Sequence, residues 1–209
     1  MCCYHCIILT QNGPQAIVPS IQCIVLAAGE ARRFGATKLL AEHDGKSLLE
    51  LALTTAQTAC PGRVCLVVGC KSPDIVRKAS TLVDLVVDNT GYRDGIGSSI
   101  ACGVSACRSN ADAVVIMLAD QPTIAASHVR AVVDAWSGDD NEIVVSTHAG
   151  IQAPPTLFAR GAFDQLAELT GDSGARSVIQ SEQFVIRRVA FAEPAIDVDT
   201  EEDLLQLKR

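Results

Sequence analysis

The chain has 209 residues, of which 48% are apolar and 20% charged, and it carries a formal net charge of -7. That length suits one domain with a full core rather than two enzyme domains, and the composition excludes disorder, collagen and extended coiled coil. The acidic balance argues against a nucleic-acid binder, and no apolar run reaches the ~18 to 20 residues that span a bilayer.

The first ten residues have no Lys or Arg ahead of their apolar stretch and no clear cleavage site, so no secretory signal is expected. Residues 1–20 contain Gly13, Pro14 and Pro19 with little periodicity and read as an extension, expected to be poorly ordered, ahead of a single domain spanning 21–209. Within it Cys2, Cys3, His5 and Cys6 have metal-ligand chemistry, but a terminal tail is a weak place for a site. The nine cysteines are an odd number, and most lie in apolar segments where Cys acts as a small hydrophobe. That usage fits a reducing cytoplasm.

From residue 21 onward, short β-branched runs alternate with segments of helical period. The predicted strands are Cys23–Ala27, Val64–Val68, Leu85–Val87, Ala113–Leu118, Ile143–Val145, Thr156–Phe158 and Phe184–Val189; the predicted helices are near 46–59, 73–80, 98–108, 124–136, 160–169, 174–181 and 201–207. Strands apolar on both faces imply a parallel sheet covered by helices, hence a three-layer α/β domain. An irregular stretch is expected through Ala153-Pro154-Pro155.

In such a sheet, ligands bind beyond the carboxyl ends of the strands. The first strand runs into Leu26-Ala27-Ala28-Gly29, small residues past which a ligand can approach the backbone, followed by Arg32, Arg33 and Lys38, cations suited to phosphates. The dinucleotide pattern Gly-x-Gly-x-x-Gly and the full Walker pattern Gly-x-x-x-x-Gly-Lys-Ser/Thr are both absent. The fourth strand runs into Asp120-Gln121-Pro122, where Asp120 either holds a divalent cation or caps the next helix. Between these lies a glycine-rich loop from Asn89 to Ser99, whose Ser98 and Ser99 either meet a ligand or serve the helix N-terminus. Near the end, Asp197-Val198-Asp199 alternates, which sets two carboxylates on one side, where a cation or a donor would relieve their repulsion. Thr200 with Asp203 reads alternatively as a helix cap that would leave Asp199 structural.

Taken in order, Leu26-Ala27-Ala28-Gly29 with Arg33, Gly35 and Lys38; Asn89 with Gly95, Ser98 and Ser99; Ala119-Asp120-Gln121-Pro122; Gly171-Asp172-Ser173-Gly174-Ala175-Arg176; and Asp197 to Leu204 resemble the molybdopterin cytidylyltransferase group of small nucleotidyltransferases over about residues 22–207. The resemblance implies a Rossmann-like nucleotidyltransferase fold with a mostly parallel central sheet. It implies transfer of CMP from CTP to the terminal phosphate of molybdopterin with release of pyrophosphate, Mg²⁺ as cofactor and a molybdoenzyme as recipient of the product. By it, Arg33, Lys38 and Asp120 are catalytic; Leu26, Ala27, Ala28, Gly29, Asn89, Ser98 and Ser99 also line the nucleotide; Asp120 with Asp197 or Asp199 holds metal; and Gln121, Asp172 and Arg176 face the acceptor. Ala28 and Ala36-Thr37-Lys38, which stand where guanylyl-transferring relatives carry a second glycine and Gly-x-Asp-Lys, point to a pyrimidine nucleotide. Two departures stand out. Ala31 replaces a common Gly or Ser, and Ala153-Pro154-Pro155 replaces Gly-His-Pro, which bears on the acceptor. A nicotinamide-dependent oxidoreductase and a molybdenum-cofactor chaperone are the competing readings; the missing dinucleotide pattern weighs against the first, and Lys38 with Asp120 against the second.

Overall fold

The computed structural model describes residues 9–10, 13–14, 19–29, 38–69, 73–191 and 196–207. Seven strands form one sheet: β1 (Ile21–Ala27), β2 (Val64–Val68), β3 (Leu85–Asp88), β4 (Ala113–Leu118), β5 (Glu142–His148), β6 (Ile151–Ala159) and β7 (Val185–Ala190). Their spatial order is β7-β5-β6-β4-β1-β2-β3, and all neighbours are parallel except β6, which runs antiparallel to both β4 and β5. Apart from this sheet, Leu9–Thr10 pairs with Gly13–Pro14.

The helices are α1 (Leu48–Ala59), α2 (Pro73–Ala79), α3 (Ile96–Cys107), α4 (Ala126–Asp134), α5 (Phe163–Ala167), α6 (Arg176–Ile179) and α7 (Glu201–Gln206). Side-chain alternation along β1 assigns the two faces. Cys23, Val25 and Ala27 pack with Leu49, Leu53 and Ala56 of α1, Ile75 of α2, and Val129 and Val132 of α4. Ile24 and Leu26 pack with Ile100 and Val104 of α3, Phe163 and Leu166 of α5, and Val178 of α6. The result is three layers with a core on each side of the sheet. Gly103 lets α3 ride close on the sheet, because a Cβ there would lie 2.7 Å from Ile24 Cγ2.

Two local devices fix the chain where it enters α1. Ser47 and Glu50 form a capping box that starts the helix: Ser47 Oγ accepts from the Glu50 amide, and Glu50 Oε2 accepts from the Ser47 amide. Ahead of it, Asp44 and Gly45 take positive φ values of 51° and 76° and turn the short hairpin that pairs Glu42–His43 with Lys46–Ser47. Two expectations are corrected. The segment Ala153-Pro154-Pro155 is not an irregular lead-in but lies inside β6, where the register against β5 shifts between Ala153 and Thr156. Prolines lack the N–H a ladder needs, and a bulge accommodates them. Furthermore, the helix expected near 174–181 is only one turn, α6, from Arg176 to Ile179, with no side-chain cap. No helix among the described residues is long and apolar enough to cross a membrane.

Candidate nucleotide and metal site

Strand order reverses between β1 and β4, the place in an open sheet where the outgoing loops diverge and leave a crevice. The backbone ties the two ends together, with the Ala119 amide donating to Leu26 O at 3.0 Å. Leu26, Ala27 and Ala28 are buried, and the first two belong to opposite cores, so this stretch offers a ligand its main chain rather than its side chains. Gly29 is exposed, and a Cβ there would meet nothing within 4 Å. Gly69, after β2, is confined: a Cβ would lie 2.6 Å from both Ala28 O and the Tyr92 ring. Arg32, Arg33, Gly35 and the rest of residues 30–37 lie outside the described residues.

Lys38 opens the one-turn helix Lys38–Leu40 and is 8% exposed. Its Nζ donates to Asp120 Oδ2 at 2.9 Å and to Asp199 Oδ1 at 2.7 Å. Residues 82 and 161 positions away in sequence therefore meet on one ammonium. Burial works to lower the Lys38 pKa, but the hydrogen bonds to Asp199 and Asp120 outweigh it, and the group is held above its ordinary value. The other Asp120 oxygen, Oδ1, is buried without a hydrogen-bond partner. Asp120 does not cap α4, whose N-cap is Ala125.

The segment at 197–199 is not a strand, yet its alternation is as read: Val198 is fully buried, Asp197 and Asp199 are exposed, and the Val198 amide donates to Asp120 O at 3.0 Å. The two carboxylates have different partners. Asp199 goes to Lys38, while Asp197 Oδ1 accepts from Gln121 Nε2 at 2.7 Å. The capping box of Thr200 and Asp203 forms as well, and Asp203 Oδ2 also accepts from the Asp199 amide at 3.0 Å. From sequence the cap stood against a metal role for Asp199; the cap forms, Asp199 meets Lys38 as well, and the cap thus orients Asp199 rather than consuming it. No group of three or more His, Cys, Asp or Glu side chains that could hold a metal ion by itself occurs among the described residues.

Asn89, Ser98 and Ser99 come together, but on one another. Asn89 Nδ2 donates to Ser98 Oγ at 2.9 Å and to Ser99 Oγ at 3.0 Å, and Ser98 Oγ donates to Gly91 O and Gly95 O. Asn89 and Ser99 are buried, so this cluster fixes the loop between β3 and α3. The same loop is pressed against the turn at Thr170–Asp172: Gly97 N donates to Gly171 O at 2.9 Å, and a Cβ on Gly95 would lie 2.3 Å from the Gly171 carbonyl carbon. Asp172 and Arg176 are both exposed, Asp172 beside this contact and Arg176 at the start of α6.

Sequence reasoning missed a cleft of about 490 Å³ beside the site, lined by His43, Asp44, Lys46, Leu51, Pro122, Thr123 and Leu207. The Asp44-Gly45 dipeptide between two short polar strands was the available signal. It also missed the wall beside Pro155. There His128 Nε2 and Ser146 Oγ are 2.8 Å apart, Ser146 Oγ donates to Pro155 O at 2.6 Å, and the His128 ring stacks on Phe191 at 4.2 Å. Burial lowers the pKa of His128, consistent with a neutral structural ring.

Chemically, one ammonium against Asp120, Asp199 and the nearby Asp197 leaves the described part of the site short of positive charge. Carboxylate oxygens, one of them unpartnered, suit a hard divalent cation such as Mg²⁺.

Comparison with known proteins finds relatives over most of the chain. The family described as the MobA-like NTP transferase domain matches residues 23–187. The purine catabolism protein PucB of Bacillus subtilis is 30% identical over 91% of this chain and 97% of its own length. The molybdenum cofactor cytidylyltransferase of Escherichia coli is 22% identical over 90% of this chain and 96% of its own. Among solved structures, Rv0371c of Mycobacterium tuberculosis in complex with manganese superposes with a TM-score of 0.73 at 29% identity, covering 90% of this chain and 97% of that one.

Proposed function

Because the chain belongs to the MobA-like NTP transferase family and is thus a nucleotidyltransferase, we propose that it moves CMP from CTP onto the terminal phosphate of a molybdopterin-type acceptor. The observation that carries this reading is Lys38, buried at the β1–β4 crevice and bonded to Asp120 and Asp199. A reaction that gathers phosphates needs cations placed in advance, and carboxylates that can keep a metal beside them. In the transfer, an oxygen of the acceptor phosphate attacks the α-phosphorus of CTP, the bond to the β-phosphate oxygen breaks, and pyrophosphate leaves. No side-chain nucleophile is needed.

Lys38 would exchange a carboxylate for the triphosphate, and Asp120 and Asp199 would be freed as metal ligands. Two carboxylates without a third match the way Mg²⁺ is usually held, by one or two acidic side chains with the remaining ligands from phosphates and water. Bound there, the ion would neutralise charge on the triphosphate and the departing pyrophosphate. The manganese complex of the mycobacterial relative supports a divalent ion. The cytidylyltransferase of E. coli supports CTP and the molybdopterin acceptor, and a molybdoenzyme is the proposed recipient.

The test is calorimetric titration of CTP, GTP, ATP and NADPH with and without Mg²⁺, followed by transfer of labelled CMP to molybdopterin. Mg²⁺-dependent CTP binding and labelled product are expected. NADPH binding with CTP inert would end the nucleotidyltransferase assignment to this site in favour of redox chemistry.

A further inference from the structure

Gln121 is 4% exposed, and the two ends of its amide are in different situations. Nε2 donates to Asp197 Oδ1 at 2.7 Å, whereas Oε1 is buried without a hydrogen-bond partner. Turning the amide over would set its carbonyl against a carboxylate, two acceptors face to face, so Asp197 fixes which end is which. Asp197 is itself held from both sides: the Ile196 amide donates to Thr123 Oγ1 at 3.2 Å, and the Val198 amide to Asp120 O at 3.0 Å. Buried amide oxygens in folded proteins are nearly always paired, so an acceptor fixed in place and left open marks where a ligand's donor belongs.

We propose that Asp197 is a positioning residue rather than a metal ligand, and that the Gln121 carbonyl oxygen it orients accepts a hydrogen bond from an N–H of a substrate heterocycle. This rests on the nucleotidyltransferase reading and deepens it. The partners of the two neighbouring residues are disjoint, Asp120 with Lys38 and Asp199, Gln121 with Asp197. Phosphates and the cation belong with the first set. The second set has a carboxylate and a carbonyl oxygen and no cation, which repels anions and suits a neutral donor. Both the amino group of cytosine and the ring amide and amine of a pterin-type acceptor have that chemistry, and the experiment separates them.

Four variants decide it: Asp197→Asn, Asp197→Leu, Gln121→Met and, for comparison, Asp120→Asn. Each is assayed for kcat, for the KM of CTP, UTP and molybdopterin, and for Mn²⁺ binding by electron paramagnetic resonance with CTP present. Asn at 197 can still accept from Gln121, so D197N is expected to keep Mn²⁺ binding and all KM values within about twofold. D197L and Q121M are expected to raise the KM of one heterocyclic substrate about tenfold or more with kcat little changed, the scale of losing one hydrogen bond at a site built for it. A rise for CTP with a loss of CTP-over-UTP preference places the donor on cytosine; a rise for molybdopterin alone places it on the acceptor. The proposal is overturned if D197N weakens Mn²⁺ binding as much as D120N does, or if Q121M folds normally and leaves every KM unmoved. A wild-type protein that transfers no CMP would instead sink the underlying reading.

Discussion

Replacing Lys38 by Met keeps most of the side-chain volume and removes one buried charge from between two carboxylates 2.9 and 2.7 Å away. In the proposed function, that ammonium bridges the two carboxylates, Asp120 and Asp199, that would hold a divalent ion. Its repulsion of a divalent ion about 4 Å away amounts to ~8 kcal/mol at an effective dielectric constant of about 20, twice the value for two unit charges. Solvent reaches the pair unevenly, the Lys38 side chain being 9% exposed, Asp120 29% and Asp199 59%. Even at the dielectric constant of bulk water, about 80, the figure remains ~2 kcal/mol, still more than about tenfold in affinity. K38M is therefore expected to bind Mn²⁺ about tenfold or more tightly than wild type when no nucleotide is present, while its CMP transfer falls ~10²-fold or more. The assay is Mn²⁺ titration of the nucleotide-free protein by electron paramagnetic resonance, between pH 6 and 8. Lys38 is held above its ordinary value, so the stability it contributes is fully present below about pH 10 and is lost only as pH rises through that higher value; its charge is constant over the assay range. Unchanged or weaker Mn²⁺ binding in a folded K38M would refute the idea that Lys38 holds a cation's place.

The packing sets three further outcomes. The Ser47 hydroxyl and amide, with Lys78, lower the pKa of Glu50 from 4.5 to about 2, so this stabilisation is complete above pH 4.5 and is lost as pH falls toward 2; Glu50→Gln should flatten the acid limb of a urea-unfolding pH series, and an unchanged slope there would discount the capping box. Gly95→Ala puts a Cβ on backbone at φ 95°, ψ 175°, a region almost reserved for glycine, and 2.3 Å from Gly171. It should cost ~3 kcal/mol or more by chemical denaturation, and a loss under ~0.5 kcal/mol would mean that the contact between α3 and the 170–172 turn is not a tight one. Pro154→His, which places the histidine of the resembling group in β6, should shift the KM of the acceptor and leave CTP binding by calorimetry unaltered; the reverse pattern would assign this wall to the nucleotide.

Much of the architecture was legible in the residues because the signals behind it are local. Short β-branched runs apolar on both faces mark buried strands, and the 3.6-residue spacing of Leu49, Ala52, Leu53 and Ala56 marks a helix with one face on a core. The seven strands of the large sheet and the seven α-helices among the described residues fall where the sequence places them, with differences mostly of a few residues at their ends, whereas sequence reasoning missed the hairpin of Glu42–His43 and Lys46–Ser47. The position of Asp120 after a buried strand was likewise readable, as was the likeness of the ordered motifs to one family. Periodicity is silent about which strands become neighbours. That β6 runs antiparallel between β4 and β5, and so absorbs Ala153-Pro154-Pro155 as a bulge, comes from how the second half of the sheet closes. The same holds at the site. Asp197 and Asp199 look equivalent in sequence, two carboxylates on one face of a short segment. Only the tertiary structure separates them, because the buried Val198 pins that segment beside Asp120 and thereby hands Asp199 to Lys38 and Asp197 to Gln121, contacts made across 161 and 76 residues of chain.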